Sequence, residues 1–378
     1  FVKSAKNDLV TLWNGIRFMK TGVPGRNRIP LTPAGELHLA PETDTDVSII
    51  TGDPTGTPHS LAVPSACDIP LVAVGYSDGS AQIWDADHPS AGAARLVVTN
   101  KFGIEHGSVM PLVNTYGCVA ISPDGRFVAV ALPDQFIRIW RLDLGHYRSV
   151  RCTDERLKTE HQLRAQVECE IEPPVDRRVD SMAWSPDGRI LAVGGGYDRG
   201  KVELWDIEKR TCSIFDAHQN SVWALAWLVN PLRRKTHEGV AVPDAEQAAD
   251  TSLWVLITGS YDRTFALWSF DSIVNAPELP NGRSMRHAFA GKEKFEFELI
   301  SRKTPAPLAV RAHQDVVLSI AVSPDHTLIA TAGGDHEANV WDVEDLLDST
   351  DEKCDSDGEV PFGNVIHGGS ISPDGDVL

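Results

Sequence analysis

One tetrapeptide recurs along this chain and limits what it can fold into. It stands at Ser122-Pro123-Asp124-Gly125, at Ser185-Pro186-Asp187-Gly188 and at Ser372-Pro373-Asp374-Gly375, with His in fourth place at Ser323-Pro324-Asp325-His326. Proline at the second position fixes φ and glycine at the fourth suits the exit, so each copy reads as a type I turn between two strands. The copies at 122, 185 and 323 are followed by apolar strands, Phe127 to Leu132, Ile190 to Val193 and Leu328 to Ala332. Next comes an Asp in a tight turn, then an alternating strand that ends in Trp. Turns and strands at a fixed period mean a repeat architecture.

The Asp-to-Trp interval is tightly held. Asp78 precedes Trp84 by six residues, as Asp134 precedes Trp140, Asp262 precedes Trp268 and Asp335 precedes Trp341; Asp198 precedes Trp205 by seven and Asp8 precedes Trp13 by five. Three of these tryptophans are followed by Asp85, Asp206 and Asp342. On these six units the chain resembles the WD-repeat (WD40) family of β-propellers over nearly its whole length. The resemblance implies an all-β fold made of one domain, 1–378. Residues 32–51, with Thr32-Pro33-Ala34-Gly35 in the turn position and Ile50 in the Trp slot, read as a degenerate seventh repeat. The expected fold is therefore a seven-bladed propeller, six clear repeats plus one. The tail SPDG-DVL and the head FVKSAKND-LVTLW join at the interval seen between the turn at 323 and Trp341. One blade is thus expected to be closed by both termini, with Gly15 to Gly22 as its outer strand, since an open ring leaves unpaired edges. The chain opens on Phe and stops within an apolar run, so it is expected to be a piece of a longer one.

In the family a His, a Ser or Thr, the turn Asp and the Trp form a hydrogen-bonded set. The resemblance places complete sets at His218, Thr258, Asp262, Trp268 and at His313, Thr331, Asp335, Trp341, with Val74, Val130 and Gly194 breaking the pattern elsewhere. Their implied role is structural, because buried polar groups are normally satisfied by one another. Two motifs suggest enzymes instead. Gly75-Tyr76-Ser77-Asp78-Gly79 matches a hydrolase nucleophile elbow, which needs a strand-to-helix turn, yet the strand AQIW follows at once. Gly195 to Lys201 nearly matches a phosphate loop, but Val202 replaces the Mg²⁺-binding hydroxyl and a strand follows. No catalytic, cofactor-binding or metal-binding constellation is expected, and no cofactor.

Surface composition points to protein partners. With 53 acids against 35 bases the formal net charge is −18, which disfavours nucleic acid and anionic lipid surfaces. No run reaches the ~18 apolar residues of a membrane span. Six scattered cysteines and no N-x-[ST] acceptor fit an intracellular setting, the cytoplasm ahead of the nucleus. Insertions at 141–164, 229–250, 271–304 and 343–360 all belong to one rim of such a propeller, where long loops on a rigid scaffold carry binding. Three are basic: Arg148, Arg151, Arg156 and Lys158 in the first, Arg233, Arg234 and Lys235 in the second, Arg283 and Arg286 in the third, interleaved there with Phe289, Phe295 and Phe297. The fourth is acidic. FEFEL, Phe295 to Leu299, reads as the outer strand of its own blade in preference to an extra edge strand. The tetrapeptides after the third strands are WDAD, WDIE and WDVE, which lack the Arg of propellers that dock on ubiquitin ligases.

The expected function is a non-catalytic protein–protein interaction scaffold, part of a multi-subunit complex, that binds proteins or peptides through the loops of one rim. The alternative is a sensor or regulatory domain of a larger signalling NTPase or kinase.

Overall fold

The computed structural model describes residues 2–5, 9–13, 33–38, 58–76, 81–87, 93–96, 118–131, 136–151, 163–171, 179–195, 200–233, 236–237, 240–241, 248–290 and 293–348. They form six three- or four-stranded groups, called sheets below, and a small two-stranded ribbon, distributed over two compact units, 1–173 with 288–295 and 174–287 with 296–378; the hairpin of Glu278–Ala290 and Glu293–Arg302 pairs with edge strands of two of these groups.

In the first unit, β1 (Val2–Ala5), β2 (Leu9–Trp13) and β3 (Pro33–His38) form a three-stranded antiparallel sheet in that order. A second sheet runs β4 (Pro58–Ala62), β5 (Leu71–Tyr76), β6 (Ala81–Asp85), β7 (Ala93–Leu96). The third runs β8 (Val119–Ile121), β9 (Phe127–Ala131), β10 (Ile137–Leu142), β11 (Ala165–Ile171), with helix α1 (Leu144–Arg151) between its last two strands. The second and third sheets share one apolar core, in which Leu71, Ile83, Val128 and Trp140 meet Leu144 and Tyr147 of α1.

The second unit repeats the plan. The fourth sheet is β12 (Val179–Trp184), β13 (Ile190–Gly195), β14 (Gly200–Asp206), β15 (Thr211–His218). The fifth begins with β16 (Val222–Val229); a 3-10 turn (Pro231–Arg233) and a small ribbon of β17 (Thr236–His237) and β18 (Val240–Ala241) follow. It continues with β19 (Trp254–Ser260), β20 (Thr264–Ser269) and helix α2 (Phe270–Val274). The hairpin of β21 (Glu278–Ala290) and β22 (Glu293–Arg302) comes before its last strand, β23 (Leu308–Arg311). The sixth sheet is β24 (Val317–Val322), β25 (Leu328–Gly333), β26 (Ala338–Asp342), followed by helix α3 (Val343–Asp348). A four-stranded sheet of this size cannot cover its own faces, so neighbours stack. Val255, Ile257 and Phe265 of the fifth sheet accordingly pack with Val317, Ile329 and Trp341 of the sixth.

The recurring tetrapeptide shows why its residues are fixed. Gly125 N–H donates to Ser122 O at 2.8 Å, and Ser122 Oγ accepts the N–H of Phe127 at 2.9 Å while donating to Asp124 Oδ1 at 2.6 Å. The fourth residue leaves the turn at φ +75 in Gly125 and +73 in Gly188, where a side chain is strained. His326 takes the same conformation at φ 62. The copy at 372–375 lies outside the described residues, as do Gly15 to Gly22 and the joining of head and tail.

Two expectations change. Pro33–His38 pairs antiparallel with β2, Leu9 facing His38, so Pro33, Ala34 and Gly35 lie in a strand beside LVTLW and not in a turn. FEFEL is not the outer strand of the fifth sheet: β23 holds that place against β20, and β22 instead runs parallel to β15, Thr211 facing Glu298 and Ile214 facing Ser301. Its alternation explains the outcome. Phe297, fully buried, and Leu299 face inward, and the Phe297 ring meets Trp205 edge-on at 5.1 Å and 73°.

Candidate interaction surface

His218, at the end of β15, reaches into the fifth sheet: its Nδ1 lies 3.0 Å from Asp262 Oδ2, its Nε2 lies 2.6 Å from Thr258 Oγ1, and Trp268 Nε1 donates to the same hydroxyl at 2.9 Å. The sixth repeats this: His313 Nδ1 to Asp335 Oδ1 at 3.1 Å, Nε2 to Thr331 Oγ1 at 2.9 Å, Trp341 Nε1 to Thr331 Oγ1 at 3.0 Å. With Nδ1 protonated, each proton has one acceptor. The indole donates to threonine, threonine to histidine and histidine to aspartate. A hydroxyl–imidazole–carboxylate chain suits nucleophilic catalysis only when the hydroxyl is open to a substrate. Here Thr258 and Thr331 are sealed in the core, with the Trp indole on the hydroxyl.

Burial pushes the Asp262 carboxyl up, but the His218 ring and the hydroxyl and N–H of Thr264 outweigh it and hold the group at about 2, below its ordinary 3.8. Asp335 is also held low: burial opposes, and the N–H groups of Gln314 and Glu337 together with His313 prevail. A depressed carboxyl stabilises the fold above its unfolded value and loses that contribution as pH falls through the folded one. Wild-type stability should therefore drop between about 3.8 and about 2, and this part of the pH profile should be missing from Asp262→Asn. At neutral pH, Asp262→Ala or Asp335→Ala should cost ~1–3 kcal/mol by stranding buried donors. An unmoved melting temperature would remove the quartets from any account of stability.

The other Trp-bearing sheets substitute different polar partners. Val74 faces Gln82, Val130 faces Arg138 and Val193 faces Glu203, the register in which Thr258 faces Ala266. Val193 rather than Gly194 thus occupies the hydroxyl position in the fourth sheet, because the connection from β13 to β14 is longer. Where the hydroxyl is missing, the residue two before Trp is polar and buried. Tyr76 OH donates to Gln82 Oε1 at 2.9 Å, Arg138 pairs with Glu170 at 2.6 Å, and Trp205 Nε1 donates to Glu203 Oε2 at 3.1 Å. Trp84 Nε1 is buried without an acceptor among the described residues. The periodicity of these sequence positions would have flagged the substitution.

The enzyme-like motifs are strand connections. Gly75 and Ala81 face each other in β5 and β6 around the first, and Gly195 faces Lys201 in β13 and β14 around the second. Among the described residues no three His, Cys, Asp or Glu stand close enough to hold a metal ion. No helix there is long and apolar enough to cross a membrane.

Of the basic residues expected to meet partners, Arg148 is bound within its own unit: Nε to Asp68 Oδ2 at 2.9 Å and Nη2 to Oδ1 at 2.5 Å. Beside it Tyr147 OH donates to Asp85 Oδ2 at 2.9 Å, so α1 is anchored to the second sheet by two side chains. Arg283 pairs with Glu278 and Glu298, both at 2.8 Å. Arg286 is half-buried and makes no ion pair among the described residues. Arg151 ends α1 and Arg233 ends the 3-10 turn. Arg156, Lys158, Arg234 and Lys235 lie outside the described residues. Of the interleaved aromatics, Phe297 is core, and Phe289 and Phe295 are half-buried. The Asp68 partner was invisible to local reading, since Asp68 and Arg148 are 80 positions apart.

Repeated groups of antiparallel strands, five of them with a buried tryptophan at one register (Trp84, Trp140, Trp205, Trp268 and Trp341), define a β-propeller-like repeat protein. Parts of the chain match models of the WD-repeat family. Residues 108–141 and 306–342 match the WD domain, G-beta repeat, and 155–230 match the anaphase-promoting complex subunit 4 WD40 domain. It is similar to the probable cytosolic iron-sulfur protein assembly protein 1 of Cryptococcus neoformans, 29% identical over 210 residues, 50% of this chain and 41% of that protein. It is also similar to two Arabidopsis thaliana proteins. Cell division cycle 20.1, cofactor of APC complex, is 23% identical over 76% of this chain and 65% of its own length. Periodic tryptophan protein 2 is 26% identical over 44% of this chain and 17% of its own length. The chain thus spans about two fifths of the Cryptococcus relative.

Proposed function

We propose that this chain is a non-catalytic scaffold that binds other proteins through the insertions 141–164, 229–250, 271–304 and 343–360, gathered on one rim of a propeller. The observation that carries it is the division between sealed polar sets and elaborated connections: the hydroxyls of the quartets are closed by tryptophan, while added sequence lies between strands. Relatives whose names describe an assembly protein and a cofactor of a complex support a partner-binding role in a cytosolic setting. Six sheets bear a tryptophan; a seventh blade is left to the degenerate repeat at 32–51 beyond β3, with head and tail closing the ring. Basic residues Arg148, Arg151, Arg156 and Lys158, Arg233 to Lys235, and Arg283 with Arg286 would meet an acidic partner surface.

Capture of partners from the native source should lose specific proteins when Arg148, Arg151 and Arg156 are all changed to Glu, with the fold intact by circular dichroism. Because Arg148 also holds Asp68, the triple variant carrying Asp68→Lys is needed. If that restores capture, the loss reflected α1 anchoring; if the triple variant captures everything wild type does, the docking assignment is wrong. A second reading, a regulatory domain of a larger multidomain protein, draws on the small share of its relatives that the chain spans. It predicts that capture depends on sequence outside residues 1–378.

A further inference from the structure

The β21–β22 hairpin gives its second strand to a sheet other than the one it interrupts. The fifth sheet is complete without it, in the order β16, β19, β20, β23. The two ends of the insert are pinned together, Lys303 N–H donating to Pro277 O at 2.8 Å, so a short turn can replace it. β22 lies on the outer edge of the fourth sheet, parallel to β15 over Thr211 to Ile214, and Glu298 N–H donates to Arg210 O at 3.1 Å. Parallel pairing is slightly less stable per residue than antiparallel pairing, and this ladder is four residues long.

Side chains show what this edge accepts. Phe297 is buried with its ring on Trp205 of β14, and Leu299, two residues on, is buried too. Arg302, three further, donates from Nε to Ser213 Oγ at 3.3 Å and from Nη1 to Ala276 O at 3.0 Å. The hairpin has one other strand pairing among the described residues, Ala288 and Phe289 facing Ile171 and Glu170 of β11. Glu278 to Asn281, Arg283 to Met285, Lys294 and Glu296 are exposed. The hold on β15 thus comes from one aromatic, one aliphatic and one cationic side chain, spaced along an extended main chain.

We propose that Thr211–Ile214 of β15 is a strand-addition site for another protein and that β22 is its built-in occupant. The partner that replaces β22 is an extended segment running parallel to β15, with an aromatic residue, an aliphatic one two positions on and an arginine three further. Main-chain hydrogen bonds give affinity and the buried side chains give selectivity. Tethering holds the hairpin at an effective concentration on the millimolar scale, so a free segment competes poorly until the hairpin is loosened. This goes beyond the docking role proposed for the rim: Arg283 and Arg286 take no part, and insertion 271–304 acts as a cover.

The probes are a labelled peptide with the sequence from Lys294 to Arg302, KFEFELISR, and the same peptide carrying Phe297→Ala. When residues 278–302 of the chain are replaced by Gly-Gly, fluorescence anisotropy should show saturable binding of the first peptide. Binding should be about tenfold weaker for the alanine peptide, and for the first peptide on the wild-type chain. A second variant keeps the hairpin and decides the matter should the shortened chain fail to fold. In full-length Phe297→Ala, the first peptide should slow hydrogen exchange at Thr211 to Ile214 toward the wild-type rate, and the alanine peptide should not. Equal effects of the two peptides overturn the assignment, as does protection confined to β21, where the peptide would have replaced β22 without reaching β15. If these results hold while the triple Glu variant captures everything that wild type does, the site on β15 stands and the rim reading fails.

Discussion

Glu170→Leu alone should cost ~3–5 kcal/mol in urea denaturation, while Arg138→Met combined with Glu170→Leu should restore stability to within about 1 kcal/mol of wild type or above it. Arg138 in β10 and Glu170 in β11 stand opposite one another, their charged atoms 2.6 Å apart, with side chains only 8% and 10% exposed. The guanidinium also lies 5.9 Å from the Trp140 ring centroid. Two charges this deep lose most of their hydration, and their attraction does little more than offset that loss. Removing one leaves the other without solvent or partner, whereas removing both substitutes apolar contact. A single replacement costing under about 1 kcal/mol would mean that water reaches the pair, against the expectation for a buried charge.

Phe297→Ala should be comparably severe, ~3–5 kcal/mol, because a large buried ring is deleted beside Trp205 and the cavity cannot collapse between two strands. The same variant should raise hydrogen exchange at Thr211 to Ile214, which pair with β22. A loss below about 1 kcal/mol with unchanged exchange would show that the hairpin is held by its main chain and by Arg302, whose Nη1 donates to Ala276 O at 3.0 Å.

The repeat is legible in the sequence because its geometry is local. Ser, Pro, Asp and Gly of one turn bond to each other within five residues, and Asp and Trp of a third strand keep their interval whatever the neighbours are. The quartet residues share a register for the same reason. What resists reading is set by partners distant in the chain. FEFEL announces a strand by its period of two, but period does not say which strand it joins, and the neighbour proves to be β15. A connection longer by two residues shifted the hydroxyl position from Gly194 to Val193. Arg148 looks like a free docking charge until Asp68, 80 positions away, is found beside it, and Arg283 until the hairpin brings Glu298 back to it.

The parallel ladder between β15 and β22 has a kinetic side. Antiparallel neighbours such as β13 and β14 meet across a short turn and can zip as soon as they are made. Thr211 cannot meet Glu298 until the whole intervening stretch, including β16, β19 and β20, has been synthesised and brought back. Closing a loop of that length costs entropy before any contact repays it. The fourth sheet thus keeps a bare outer border through the early life of the chain, and the hairpin is the late-arriving piece that ends this exposed interval.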